Sequence, residues 1–172
     1  MTTTLLLARH GETVDNANKI MQGQTPGRLN EHGIEQAKQL AKQLKTVHID
    51  VFVSSNLKRS FDTCAIVAES RGEAPENIVQ MPLLRERDWG SFTGRYIPDL
   101  KNEPWTDDIE TLEHMKERAQ LFLKHIKEEY NGKTILAVGH GIINKAIQSV
   151  FYNKPMNEIE KMGNAEVRTL KL

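Results

Sequence analysis

The sequence has little cysteine and no long hydrophobic run. Cys64 is its single cysteine, so no disulfide can form within the chain, which fits a reducing compartment. No apolar stretch approaches the roughly 18 residues that a membrane-spanning helix requires. No basic segment precedes the apolar run at 5–8, as it would in a signal peptide. We therefore expect a cytoplasmic protein with no membrane partner.

The chain also lacks an excess of charge of either sign. It has 23 lysine and arginine residues against 23 aspartate and glutamate residues, for a formal net charge of zero. Surfaces that bind nucleic acids or anionic membranes carry a positive excess, so neither is expected as the main partner, whereas a local positive pocket stays compatible with this balance. Repeats, low-complexity tracts and interdomain linkers are absent, and the length suits one core, so the sequence predicts a single domain over residues 1–172.

What the chain does contain is an alternation of short apolar runs and amphipathic stretches. Strand–helix alternation is typical of a mostly parallel sheet covered by helices. We therefore predict an α/β fold, a three-layer sandwich with a mostly parallel central sheet and helices on both faces. The predicted strands are 4–8, 49–53, a less regular 78–84, 134–138 and an edge strand at 165–172, with mostly loop at 86–108. The predicted helices are 31–44 after the N-cap Asn30, 56–69, a helix of about 18 residues whose apolar stripe spans 112–126, and 142–151.

Two histidines follow predicted strands in the same way. His10 comes after the first strand and His140 after the strand at 134–138, and a glycine follows each of them. Ligands of open α/β sheets bind beyond the carboxyl ends of strands, where packing alone does not explain polar side chains. If the two strands are neighbours, both imidazoles face one crevice. The glycines would then let the backbone approach a ligand closely, and the helix start after His140 would offer amide donors to an anion.

Two arginines complete the pattern. Arg9 directly precedes His10, and Arg59 lies in the first turn of the helix that follows the second strand. An arginine there opposes the helix dipole and is better explained as an anion ligand. Together with the histidines, these residues predict a phosphate site. Two alternatives stay open at this point: surface charges at an exposed strand end, and a metal site on both histidines, which lacks a His-Glu-x-x-His or clustered cysteine spacing.

Six short blocks carry a family resemblance over nearly the whole chain. They are Leu7-Ala8-Arg9-His10-Gly11-Glu12-Thr13 with Asn16; Gln22-Gly23 with Leu29-Asn30-Glu31, Gly33 and Gln36-Ala37; Ser55-Asn56-Leu57-Lys58-Arg59 with Thr63 and Ala65; Glu86-Arg87-Asp88-Trp89-Gly90 with Gly94; Gly139-His140-Gly141; and Asn164-Ala165. Their order is far more specific than any one block. The sequence resembles the histidine phosphatase superfamily, in its phosphoglycerate-mutase-like branch.

The resemblance implies a role for each candidate residue. His10 would be the nucleophile that forms a phosphohistidine, and a glycine carbonyl would hold its other ring nitrogen. Glu86 would protonate the leaving oxygen and then accept a proton from water, unless the charged run around it is simply exposed. No metal and no cofactor is implied. The remaining predicted site residues are Arg9, Arg59 and His140 around the phosphoryl oxygens, and Asn16, Gln22, Gly23 and Gly141 as further substrate contacts.

These residues predict a metal-independent phosphatase that hydrolyses phosphomonoesters, with a small phosphorylated metabolite as the favoured substrate. A phosphoglycerate mutase is the first alternative. The short segment between Gly94 and Leu112, and an end of the sequence close after the last strand, argue against it, since a mutase must keep water from its phosphohistidine. A phosphoprotein phosphatase and a phospho-ligand-binding module are less favoured, and the final edge strand leaves a homodimer open.

Overall fold

A five-stranded sheet forms the centre of the computed structural model, which describes residues 1–172. The strand order is β3-β2-β4-β1-β5, and every neighbouring pair is parallel except β1 with β5. The prediction of a mostly parallel sheet is therefore confirmed. The strands are β1 (Thr4–Arg9), β2 (Val51–Ser54), β3 (Val79–Gln80), β4 (Thr134–Gly139) and β5 (Val167–Lys171).

Helices cover both faces of the sheet, as the three-layer prediction requires. Successive strand residues point to opposite faces, so Leu5 and Leu7 of β1 join the core cluster of α4 and α5, whereas Leu6 and Ala8 join the cluster of α2 and α3. None of these helices is both long and apolar enough to cross a membrane. The helices are α1 (Val14–Ala17), α2 (Glu31–Gln43), α3 (Lys58–Ser70), α4 (Leu112–Glu129) and α5 (Gly141–Tyr152).

Local sequence signals set the starts of two long helices. The Asn30 side chain accepts a hydrogen bond from the Gly33 N–H, which caps α2 as predicted, and Thr111 caps α4 in the same way. Two residues of the predicted apolar stripes, Ile34 and Leu112, are nevertheless exposed. Both lie in the first turn of their helix.

Two predicted strands are shorter in the structure. Only Val79 and Gln80 of the 78–84 segment pair with β2, because a 3-10 turn over Pro82–Leu84 follows. The last strand begins at Val167 because Ala165 adopts a left-handed conformation with φ 59°, and its N–H donates to the backbone carbonyls of Arg9 and His10. Ala165 therefore lies beside His10 and is not part of the sheet.

Strand register brings the predicted functional residues together. Arg9 pairs with Gly139 across β1 and β4, and Ser54 pairs with Val138 across β2 and β4. The residues that follow these strands therefore emerge side by side at one edge of the sheet. They are His10, His140 and Ser55.

Candidate active site

A cleft of about 320 Å³ opens at the carboxyl ends of β1 and β4. Eight of the nine predicted site residues line it, and the ninth, His140, is fully buried next to His10. Sequence spacing alone gave no indication of which histidine would reach the cleft. The eight lining residues are Arg9, His10, Asn16, Gln22, Gly23, Arg59, Glu86 and Gly141.

The His10 ring is held in one tautomer. Its Nδ1 lies 2.7 Å from the carbonyl oxygen of Gly11, which can only accept a hydrogen bond, so Nδ1 carries the proton. Nε2 is then an unprotonated nitrogen with a free lone pair. Burial, and next the positive charge of Arg59, hold the pKa of His10 well below its ordinary value. His10 is thus a neutral imidazole with its basic nitrogen available for chemistry.

His140 lies with its ring centroid 5.1 Å from that of His10. Its Nε2 is 2.7 Å from the hydroxyl oxygen of Ser55, which also accepts a hydrogen bond from the Leu57 N–H. Burial, followed by the charge of Arg59, lowers the pKa of His140 well below its ordinary value. The second nitrogen, Nδ1, is buried and has no hydrogen-bond partner. Ser55 therefore fixes the orientation of the His140 ring, a role that the sequence did not reveal.

The guanidinium groups of the two arginines donate hydrogen bonds to backbone carbonyls. Arg59 is 1% exposed and donates to the carbonyls of Thr25 and Gly23, and burial lowers the pKa of its guanidinium to about 10. Arg9 donates from Nη1 to the carbonyl of Met162 at 2.7 Å. Each guanidinium is thus fixed by hydrogen bonds to neutral acceptors, and Glu86 is the nearby carboxylate that acts on both charges.

Three buried nitrogens around the cleft have no partner: Arg9 Nε, Arg59 Nε and His140 Nδ1. Buried polar groups are nearly always hydrogen-bonded, because leaving one unpaired costs about 1–3 kcal/mol. Folding tolerates such a cluster where a ligand completes it. Because two of the three groups are cationic, the ligand that fits is an anion with several acceptor oxygens, and a phosphate ester has this form.

The side chain of Glu86 contacts the N-terminus of α5. Its carboxylate accepts hydrogen bonds from the N–H groups of Ile142 (3.0 and 3.2 Å) and Ile143 (3.1 Å), and from the Arg87 N–H at 2.9 Å. The expectation that the amides at the helix start are open to an anionic ligand is therefore wrong for Ile142 and Ile143, because Glu86 occupies them. The structure excludes a freely solvated Glu86 and places its carboxylate on the cleft wall.

Neutral groups complete the lining. The Asn16 side-chain oxygen accepts from the Thr13 N–H, and the Gln22 side-chain oxygen accepts from the Thr13 hydroxyl. Both amides therefore keep their NH₂ groups as free donors. Gly23 has φ 53°, a left-handed conformation that favours glycine, and this turn presents its carbonyl to Arg59. Gly141 lies close to the Arg9 guanidinium.

Gly11 has a different function from the one expected. A Cβ at this position would lie 2.4 Å from the Gly33 carbonyl oxygen, so glycine is needed for close contact with the start of α2. The Gly11 N–H donates to the Thr63 hydroxyl at 3.1 Å, which ties the same turn to α3. The absence of a side chain therefore serves packing between backbone segments, and the prediction of a close approach to the ligand is wrong for this glycine.

An ion pair that the sequence analysis missed supports the Glu86 loop. Arg118 of α4 donates to the carbonyls of Leu83 and Arg85, and its Nε lies 2.8 Å from a carboxylate oxygen of Glu110. The signal was present in the sequence: Arg118 follows Met115 by three residues and falls within the apolar stripe of α4. A charged residue inside such a stripe indicates a buried polar contact.

The two buried imidazoles predict a loss of stability as the pH falls below about 6.5. A histidine with a lowered folded-state pKa takes up its proton first in the unfolded chain, so unfolding is favoured from the unfolded pKa down to the lowered folded value. Each should cost about 1 kcal/mol of unfolding free energy between pH 6.5 and 5.5. Urea denaturation measures this loss, and the His10→Ala variant should show about half of it. A flat or rising stability in this interval would contradict the buried neutral state.

Comparisons with known proteins agree with this geometry. Residues 5–172 match the family model of the histidine phosphatase superfamily (branch 1). A metal-independent phosphoserine phosphatase of Arabidopsis thaliana is 33% identical over 161 residues, which cover 84% of this chain and 67% of that protein. A 2,3-bisphosphoglycerate-dependent phosphoglycerate mutase of Methylorubrum populi is 36% identical over 109 residues, which cover 62% of this chain and 51% of that protein. Among solved structures, YhfR of Bacillus stearothermophilus gives a TM-score of 0.89 at 27% identity, covering 97% of this chain and 90% of that one.

The family match has the extent that the six sequence blocks indicated. It spans nearly the whole chain and includes every candidate residue of the cleft. The resemblance noted from the sequence is thereby confirmed. The chain belongs to branch 1 of the histidine phosphatase superfamily.

Proposed function

We propose that the protein is a metal-independent phosphatase that hydrolyses small phosphomonoesters through a phosphohistidine on His10. One observation carries the proposal: the neutral His10 ring, with Nδ1 held by the Gly11 carbonyl and Nε2 free, lines the same cleft as Arg9 and Arg59. A nucleophile beside fixed positive charge is what transfer of a phosphoryl group requires.

In the first step, His10 Nε2 attacks phosphorus in line with the leaving oxygen. An N–P bond forms as the P–O bond breaks, and the leaving oxygen takes a proton from the Glu86 carboxyl group. Positive charge develops on the imidazole, and the Gly11 carbonyl on Nδ1–H stabilises it. Arg9, Arg59 and His140 hold the phosphoryl oxygens, since positioning and electrostatics supply most of the catalysis for such a transfer.

In the second step, water attacks the phosphohistidine. Glu86, now a carboxylate, accepts the proton of this water, the N–P bond breaks, and inorganic phosphate leaves with His10 neutral again. For the first step Glu86 must carry a proton.

Charge in the cleft argues against a catalytic metal ion. Four cationic side chains line it, and Glu86 is the only carboxylate among the lining residues. Divalent cations bind where several carboxylates or neutral histidines converge, and no group of three or more such side chains is placed to hold one. Arg9 and Arg59 supply the positive charge that a metal would otherwise bring.

The mutase alternative follows from the similarity to a phosphoglycerate mutase, but the cleft favours hydrolysis. The segment between Gly94 and α4 consists of a 3-10 turn and short loops, with exposed side chains at Tyr96 and Ile97. Ile97 is its only side chain that lines the cleft. Water therefore has access to the proposed phosphohistidine, which favours its hydrolysis.

We expect the rate of phosphate release to exceed the rate of isomer formation. In a test with 3-phosphoglycerate as substrate, inorganic phosphate should appear faster than 2-phosphoglycerate, because water reaches the cleft. The rate should be the same with and without a chelator such as EDTA. Isomerisation faster than phosphate release would identify a mutase, and a large loss of rate with EDTA would contradict the metal-independent reaction.

A further inference from the structure

Two lysines line the cleft beyond the groups assigned to the phosphate. Lys145 is half-buried on α5, one turn after Gly141, and Lys161 is exposed next to Met162, whose carbonyl holds Arg9. Residues four apart on a helix share a face, so Lys145 stands on the same side of the cleft as Gly141 and Arg9. The two lysines thus extend the positive wall away from His10.

Neither lysine has an internal partner. The side-chain nitrogens of Lys145 and Lys161 enter none of the six ion pairs of the structure. Glu86, the only carboxylate that lines the cleft, accepts hydrogen bonds from the start of α5. The positive charge of both lysines therefore remains available to a ligand.

A second wall of the cleft differs in character. It is formed by apolar side chains on two segments that are hydrogen-bonded to each other, with the Met21 N–H donating to the Arg95 carbonyl and the Gly94 N–H donating to the Met21 carbonyl. A negatively charged substituent on a ligand is poorly accommodated there, because no cationic side chain of this wall would compensate the loss of its water. The apolar side chains of this wall are Ile20, Met21, Trp89 and Ile97.

We propose that the substrate carries a second anionic group, a carboxylate or a second phosphate, which Lys145 and Lys161 bind while the transferred phosphate lies at His10. This inference rests on the proposed function. The volume of about 320 Å³ is at the lower end of ligand pockets, so the two anions belong to one small molecule. Its carbon skeleton faces the apolar wall.

The test compares substrates with and without a second anionic group. 3-Phosphoglycerate carries a carboxylate where glycerol 3-phosphate carries a neutral CH₂OH group, and 1,3-propanediol bisphosphate carries a second phosphate. The wild type should prefer one or both of the probes with a second anionic group to glycerol 3-phosphate in kcat/KM. In the Lys145→Met/Lys161→Met double variant this preference should fall about tenfold, the factor expected when two partly exposed ion pairs are lost. Which probe loses more distinguishes a carboxylate from a phosphate ligand.

A matched control uses Lys124, which is exposed on α4 and does not line the cleft. The Lys124→Met variant should keep the wild-type preference. If the double variant lost the same factor in kcat/KM for all three probes, the lysines would act only by general electrostatic attraction. If the wild-type preference were unchanged, the lysines would not be ligands. Either result overturns the inference. Failure of the wild type to hydrolyse even 4-nitrophenyl phosphate would instead contradict the proposed function itself.

Discussion

Replacing His10 by alanine should abolish phosphatase activity, with kcat for 4-nitrophenyl phosphate reduced at least about 10⁴-fold. The variant keeps Arg9, Arg59 and Glu86 but has no nitrogen in line with the phosphorus. Phosphate esters should still bind, since the groups that hold the phosphoryl oxygens remain. Steady-state kinetics measure the loss, and isothermal titration with inorganic phosphate measures the binding that should persist.

The matched control for this variant is His32→Ala. His32 is exposed on α2, contacts only Gln36 through its ring and lies outside the cleft. Its replacement should leave kcat unchanged. If both variants kept activity near the wild-type level, His10 would not be the nucleophile. It would then be a phosphate ligand, and another group would attack the phosphorus.

Replacing Glu86 by glutamine should lower kcat about 10²- to 10⁴-fold for alkyl phosphates such as glycerol 3-phosphate, the range typical of a general acid. The amide oxygen can still accept hydrogen bonds from the Ile142 and Ile143 N–H groups, so the loop keeps its position. The effect should be much smaller on the first step with 4-nitrophenyl phosphate, because nitrophenolate leaves without a proton.

The leaving-group dependence separates catalysis from positioning. Burst kinetics report the first step with the aryl phosphate, and the ratio of losses for alkyl and aryl substrates is the decisive quantity. Equal losses for both substrates would show that Glu86 acts by holding α5 and the cleft wall together. In that case another group would have to supply the proton.

The parts of the site carried by strand ends could be predicted from the sequence. His10 and His140 follow two apolar runs, and the parallel pairing of β1 with β4 places them side by side, as the predicted crevice requires. Asn30 caps α2 because a side-chain oxygen at that position satisfies a free N–H. These features depend on local chain chemistry and on the rule that parallel strands present their carboxyl ends together.

Other features depend on distant contacts that spacing does not encode. The occupation of the α5 amides by Glu86 joins residues 56 positions apart. The ring of His140 is oriented by Ser55, which is 85 positions away. Lys145 and Lys161 look like ordinary surface lysines in sequence, and only the folded chain brings them to the cleft. Such pairings follow from tertiary packing. The single domain over residues 1–172 and the roles of the individual site residues stay predictions.

The central claim is that the phosphoryl group is transferred to His10. The most direct measurement mixes enzyme with a ³²P-labelled phosphomonoester, stops the reaction in alkali within milliseconds, and maps the label by proteolysis and mass spectrometry. The account predicts an acid-labile, alkali-stable phosphohistidine at position 10, formed equally well in EDTA and absent from the His10→Ala variant. Label on any other residue, or the same labelling in His10→Ala, would contradict it.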